Sequence, residues 1–294
     1  LIQRAKVMQR SCLQEVPIEK NPAALLGSAI GSLGVQGRNK LTLVTSPCLR
    51  SLGIWVEQML AESTGKDGRG IIPINDEPLS SPSNYGKDRL FLYLRLSGDE
   101  NEDLDNFIKE IQISRHPCIQ LNLNDKSDLS GEFYLWQFAT VVAGSFLGIQ
   151  PFDQPNVQQA KDGTDKILLE YERTGSFKPS TDSKKPSDLL TDPPSDTYLT
   201  IMAYMPQNQE NDHAFHQIRR DILERYQITT TFGYGPRFLH STGQLHKGGP
   251  NRGRFLQVVT DYGNDFPIPE KSYTFGMLVS AQAEADLLAL ITLG

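Results

Sequence analysis

The chain is poor in cysteine: it has three, Cys12, Cys48 and Cys118, far apart, with no Cys-x-x-Cys pair and no Cys/His cluster. An odd number of scattered thiols excludes a disulfide framework and structural zinc. Positive charge is also short, with 29 Lys and Arg against 35 Asp and Glu and a net charge of −6. That balance argues against nucleic acid as a partner and leaves any anionic ligand to be met by local cations. No apolar run approaches the roughly 20 residues of a membrane helix, and no signal-like segment opens the chain. The expectation is a cytoplasmic protein with no membrane contact. Internal repeats are lacking, and so is an initial methionine: the chain opens at Leu1 inside a helical pattern, Leu1 to Met8. The expectation is a processed or truncated piece of a longer polypeptide.

What is present is the material of a globular α/β protein, 294 residues with 38% hydrophobic and 22% charged. Residues 1–22 read as a helical lead-in. Asn21 to Gly34 has Pro at the start and small residues throughout, the pattern of a closely packed helix. Lys40 to Ser46, Leu90 to Leu96 and Cys118 to Leu123 read as strands, alternating with helices over Gly53 to Lys66, Asp99 to Ser114 and Glu132 to Leu147. Such alternation predicts a doubly wound parallel sheet over residues 23–172, with ligands at the carboxyl ends of its strands. Ser46 and the segment from Ile72 to Asp88, read as a loop, stand at such ends. Residues 173–196 are rich in Pro, Ser and Asp and read as a mobile linker. Residues 197–294 read as a smaller C-terminal α/β segment. It has strands at Leu199 to Tyr204, Ile228 to Phe232 and Arg254 to Thr260, a helix at Asp212 to Tyr226 with a basic patch of Arg219, Arg220 and Arg225, and a terminal helix from Thr274 to Leu293.

Three stretches carry chemistry. In Gly53 to Lys66, Gln58 and Glu62 are four apart and point together from the last turn of a helix, which Gly65 ends as a left-handed cap. Ser63 and Lys66 adjoin them. By spacing alone this is also a solvated helix end. Phe152 to Lys161 starts a helix with Pro155 in its first turn, and Gln154 and Lys161, seven apart, can address one site. Pro236 to Gly249 holds His240, of a residue type suited to proton transfer, and His246 and Lys247, read as cations near a helix end.

Gln58-x-x-x-Glu62-Ser63-x-Gly65-Lys66 resembles the catalytic-base segment of phosphoglucose isomerases, most like the isomerase half of the bifunctional transaldolase/phosphoglucose isomerase type. Gly144 to Lys161 resembles the second signature of that family, with Asn156 where Gly is usual and Gln158 where Glu is usual. Leu239-His240-Ser241-x-Gly243-Gln244 resembles the segment whose histidine opens the sugar ring.

The resemblance implies the C-terminal part of a glucose-6-phosphate isomerase that needs no cofactor or metal. The fold would be of the flavodoxin-like sugar-phosphate-isomerase (SIS) type. Glu62, His240 and Lys161 would be catalytic, with Gln58, Gln154, Ser63 and Lys66 binding a sugar phosphate. It further implies a first SIS domain upstream, with a Gly-Gly-Arg segment absent here, and a possible homodimer in which His240 serves either subunit. Three alternatives remain open: a non-catalytic sugar-phosphate-binding module, a bifunctional fragment inactive in isolation, and a mannose-accepting isomerase.

Overall fold

The computed structural model describes residues 1–180, 185–263 and 265–293. Two helices lead in, α1 (Ile2–Ser11) and α2 (Pro22–Val35). The Asn21 side chain caps α2 by accepting from the Ala24 N–H at 3.0 Å, and Pro22 fills the first turn, where no N–H is needed. Then come β1 (Lys40–Thr45), α3 (Arg50–Thr64), β2 (Ile72–Asn75), β3 (Arg89–Leu96), α4 (Glu102–Ile113), β4 (Cys118–Leu123) and α5 (Leu129–Leu147). All strand pairs are parallel, in the order β2-β1-β3-β4, with Lys40 opposite both Ile72 and Arg89 and Phe91 opposite Cys118.

Helices cover both faces of this sheet. Leu41, Leu43, Leu90, Leu92, Leu94 and Leu96 meet α2, α3 and α5 in one core that includes Trp136 and Val56. On the other face Val44, Phe91 and Tyr93 meet Phe107, Ile108 and Ile111 of α4. The small residues of α2 are a packing device: a Cβ on Gly27 would lie 2.4 Å from the Ala139 carbonyl oxygen, so only glycine lets α5 approach.

The second half holds α6 (Val157–Thr174), β5 (Tyr198–Tyr204), α7 (Gln209–Tyr226), β6 (Thr229–Tyr234), α8 (Ser241–Gly248), β7 (Gly253–Val259) and α9 (Phe275–Leu293). Its sheet is parallel, in the order β6-β5-β7. The architecture is therefore α/β with parallel sheets, as the alternation predicts. Lys40 Nζ donates to the Thr197 carbonyl at 2.9 Å, tying the starts of the two central strands together.

Several expectations need correction. Ile72–Asn75 is a strand, hidden in the sequence by its four-residue length and by Pro73, which an edge strand tolerates. Arg219 does not join a surface basic patch: it is 3% exposed. Its guanidinium donates to the Asn75 and Asp76 carbonyls at 3.2 and 2.8 Å and to the Thr230 hydroxyl at 3.1 Å, fastening β2 to β6. The boundary at residue 172 falls inside α6, whose Gly163 lies against Ala285 of α9, so this helix groups with the C-terminal half.

Within the expected linker, residues 181–184 lie outside the described residues. Of the rest, the Ser180 N–H donates to Glu284 at 2.9 Å, and Arg254 donates to the Leu189 carbonyl at 2.7 Å. Finally, α9 has 19 residues and a mean hydropathy of 1.4, long and apolar enough by length and composition to cross a membrane. Scanning for uninterrupted apolar runs misses it because Glu284 and Asp286 divide it. Both are buried here, among Ala281, Ala283, Ala285 and Ala289.

Candidate functional site

Helix α3 buries Leu52, Val56, Leu60 and Ala61 and leaves Gln58, Glu62 and Ser63 half-buried on its outer side. Its end differs from the expected left-handed cap: Gly65 has φ −79°. The Thr64 hydroxyl closes the last turn instead, donating to the Leu60 carbonyl at 2.7 Å and accepting from the Ile71 N–H at 3.0 Å. Glycine is required at 65 for another reason, since a Cβ there would lie 2.4 Å from Leu245 Cα in α8.

The three motif stretches meet at this point. Lys66, 2% exposed, donates its ammonium to the Gln150 carbonyl at 3.0 Å and to the Asp153 carbonyl. Burial holds that ammonium below the usual lysine range, against the opposing pull of Asp153, Asp67 and Glu62. Gln244 of α8 donates to the Gly65 carbonyl at 2.8 Å and to Asn156 Oδ1 at 2.9 Å, and accepts from the Asn156 N–H at 3.0 Å. The Gly68 N–H donates to the Gly248 carbonyl at 3.0 Å. The end of α3, the turn before α6 and the length of α8 are thus one hydrogen-bonded unit.

The side chains the sequence nominated divide into two sets. Gln58, Glu62, Ser63, Gln154, Lys161 and His240 make no side-chain hydrogen bond or ion pair among the described residues, and Gln154, Lys161 and His240 are exposed. Ser63 and Phe152 line a common hollow of about 360 Å³ with Met59, Tyr134 and Phe138. Lys66, nominated for substrate, is instead spent on the scaffold, because its ammonium is buried against two carbonyls. The seven-residue spacing also fails for Gln154, which lies in the turn before α6; only Lys161 is on the helix. His240 stands at the N-cap of α8 with extended backbone.

His246 and Lys247 are not helix-end cations. The His246 ring is enclosed between Phe238 and Phe255, at centroid distances of 5.7 and 5.2 Å. That burial, with the charges of Lys247 and Arg237, pushes its pKa down to about 3 and keeps it neutral. Lys247 is buried and pairs with Asp286 of α9, while also donating to the Phe238 carbonyl at 3.3 Å.

The carboxyl ends of β1, β2 and β3 open on a separate crevice of about 1010 Å³, lined by Thr45, Arg50, Asp76, Arg95, Asp99 and Arg220 among others. Glu62 lies at the opposite end of α3, so the motif residues are not at the strand ends where the fold alone predicts a ligand. At those ends Ser46 is buried, donating to Asn101 at 2.5 Å, and Asp99 already accepts from the Cys48 N–H at 2.8 Å. Among the described residues no group of three or more His, Cys, Asp and Glu is placed to hold a metal. Each motif stretch carries an acid–base group: the half-buried Glu62 carboxylate with Gln58 and Ser63 beside it in α3, the exposed Lys161 ammonium in α6 and the exposed His240 imidazole before α8. Sequence reasoning missed Gln244 and Asn156 as organisers; both stand inside motif stretches, but nothing in the sequence marks their backbone partners.

No family model matches the chain. It is 27% identical over 195 residues to a probable glucose-6-phosphate isomerase of Methanococcus maripaludis, covering 55% of this chain and 44% of that protein. It is 25% identical over 206 residues to a glucose-6-phosphate isomerase of Leptospira biflexa, covering 57% and 46%. The match spans less than half the length of these relatives. Among solved structures, the C-terminal domain of glucosamine-fructose-6-phosphate aminotransferase of Francisella tularensis aligns with 99% of this chain and 92% of that domain, at 10% identity and a TM-score of 0.33. A hypothetical protein of Thermus thermophilus aligns with 100% of this chain and 81% of its own, at 14% and 0.29. Over a little more than half of its length, then, the chain is distantly similar to sugar-phosphate isomerases that bear the name glucose-6-phosphate isomerase.

Proposed function

We propose that this chain carries the base-bearing part of a cofactor-independent aldose–ketose isomerase interconverting glucose 6-phosphate and fructose 6-phosphate. The observation that supports the reading is that three distant motif stretches are hydrogen-bonded to one another, and each carries an acid–base side chain with no partner among the described residues. Structural polar residues in a folded interior are normally satisfied by partners, as Lys66 and Gln244 are. The half-buried Glu62 has no such partner among the described residues, and the exposed Lys161 and His240 are held by no other side chain there, so all three are free to meet a substrate.

In this reading His240, with Lys161, moves the proton between the ring oxygen and the anomeric hydroxyl as the ring opens. Glu62 then removes the proton from carbon 2 of the open aldose, giving a cis-enediolate, and returns it to carbon 1. Gln58, Gln154 and Ser63 donate to or orient the phosphate. These groups are neutral, while a sugar phosphate carries close to two negative charges, so most phosphate contacts are assigned to protein outside this chain.

A coupled assay of fructose 6-phosphate conversion by the full-length protein tests the proposal. Glu62→Gln keeps the side-chain shape and deletes the base, with an expected loss in kcat on the order of 10²- to 10⁴-fold. An active Glu62→Gln protein would remove Glu62 from the mechanism, and an inactive wild-type protein that still binds the sugar phosphate would leave a binding module.

A further inference from the structure

Gln244 is the side chain on which the motif cluster converges. Its amide is 0% exposed and fully used: both N–H groups donate, to the Gly65 carbonyl and to Asn156 Oδ1, and its oxygen accepts from the Asn156 N–H. Each partner belongs to a different segment. Gly65 ends the helix that carries Gln58 and Glu62, Asn156 precedes the helix that carries Lys161, and Gln244 itself is four residues beyond His240. The space for this arrangement is built in. A Cβ on Gly248 would lie 2.4 Å from Asn156 Oδ1 and 2.8 Å from both Gln244 Nε2 and the Gly65 oxygen, all three members of the contact. Glycine at 248 is thus what lets the amide reach two segments at once.

We propose that Gln244 is the positioning residue of this site, a clamp that holds Glu62, Lys161 and His240 in one register without touching substrate. The catalytic consequence rests on the isomerase reading above; the clamp itself does not. Because the contacts are made by a neutral, buried amide, register is fixed by hydrogen-bond geometry and is insensitive to pH across the neutral range. Small displacements of reacting groups cost up to about a hundredfold in rate, so loosening the clamp acts on kcat more than on KM.

Two readouts on the full-length protein test this. The first is amide hydrogen exchange in Gln244→Met, which keeps the length of the side chain and removes all three bonds. Protection is expected to fall at least tenfold at the Asn156 and Gly68 amides while the amides of β3 hold theirs. The second is the kinetics of Asn156→Ala, which deletes one acceptor at a half-buried turn, against Asn156→Asp, which retains it. Asn156→Ala should lose about tenfold in kcat with KM little changed and an unmoved pH profile, and Asn156→Asp should retain wild-type kcat.

Unchanged exchange at Asn156 and Gly68 in Gln244→Met overturns the clamp whether or not the protein is an isomerase. Normal kcat in both Asn156 variants overturns its positioning role. If the wild-type protein does not isomerise sugar phosphates, the functional reading fails, and the exchange experiment still decides the clamp.

Discussion

The Lys66 ammonium donates to the Gln150 carbonyl at 3.0 Å across a sequence gap of 84 residues, and this bond brings the turn before α6 to the end of α3. A hydrogen bond from a charged donor contributes about 1.5–3 kcal/mol. Lys66→Met, which fills the same volume and deletes the donor, is therefore expected to destabilise the protein by about 2 kcal/mol in urea unfolding, with an unchanged m-value. An unchanged midpoint would mean that water satisfies those carbonyls and that Lys66 is free for other work.

Gly243 is the tightest glycine of the site. A Cβ there would lie 1.6 Å from the Phe238 carbonyl oxygen, a backbone atom two residues before His240. The turn and α8 must separate to admit a methyl group, so Gly243→Ala is expected to cost about 3 kcal/mol or more. Thermal unfolding measures it, and a variant as stable as wild type would contradict the packing of the His240 turn.

Lys247 and Asp286 form a fully buried ion pair that also takes the Tyr204 hydroxyl, at 3.2 Å from Asp286. Removing one partner strands the other charge, at a cost of about 3–5 kcal/mol, whereas replacing both by apolar residues of similar volume is commonly near neutral. Lys247→Met and Asp286→Leu should each be strongly destabilised, and the double variant should recover most of the loss. Additive losses in the cycle would show that the pair is not coupled.

How much of this was legible in the sequence follows from where each signal resides. The strands Lys40–Thr45, Arg89–Leu96 and Cys118–Leu123 are written in short runs of β-forming residues, and the helices between them in three- and four-residue apolar spacing, so the α/β order can be read directly. Ile72–Asn75 carries no such signal, because its Pro73 reads as a break until the strand is known to lie at an edge. The motif residues stand out through their resemblance to the isomerase segments, since spacing alone also fits a solvated helix end. What the sequence does not hold is which of them are spent: Lys66 and Glu62 look equally available there, and only the fold shows one buried against carbonyls and the other half-buried with no side-chain hydrogen-bond partner among the described residues. Arg219 and Gln244 act through backbone oxygens, and a backbone oxygen leaves no mark in a residue pattern.

His246 and Glu132 make contributions of opposite sign to the dependence of stability on pH. His246 is pushed from its ordinary 6.5 down to about 3 by its enclosure between aromatic rings and by Lys247 and Arg237. Glu132 of α5, 7% exposed, is pushed up from 4.5 to about 7 by burial, with the charge of Asp128 adding to it. For His246 the unfolded chain binds a proton between about pH 6.5 and 3 and the folded chain does not, so its contribution is complete above pH 6.5 and is lost on acidification. For Glu132 the folded chain holds the proton longer than the unfolded one, so its contribution is complete below pH 4.5 and is lost as pH rises through 7. Each slope is about 1.4 kcal/mol per pH unit in its own window. Between pH 4.5 and 6.5 these two contributions oppose each other; below that window the His246 contribution alone falls on acidification, and above it the Glu132 contribution alone falls as pH rises. Glu132→Gln should remove the alkaline fall and leave the protein more stable than wild type at pH 8, by on the order of 1–3 kcal/mol. His246→Gln should flatten the acid limb below pH 4.5. Denaturant unfolding of the three proteins from pH 3.5 to 8.5 decides the assignment, and a Glu132→Gln variant that tracks wild type across pH 6–8 would show that the Glu132 carboxyl is not held above its ordinary range.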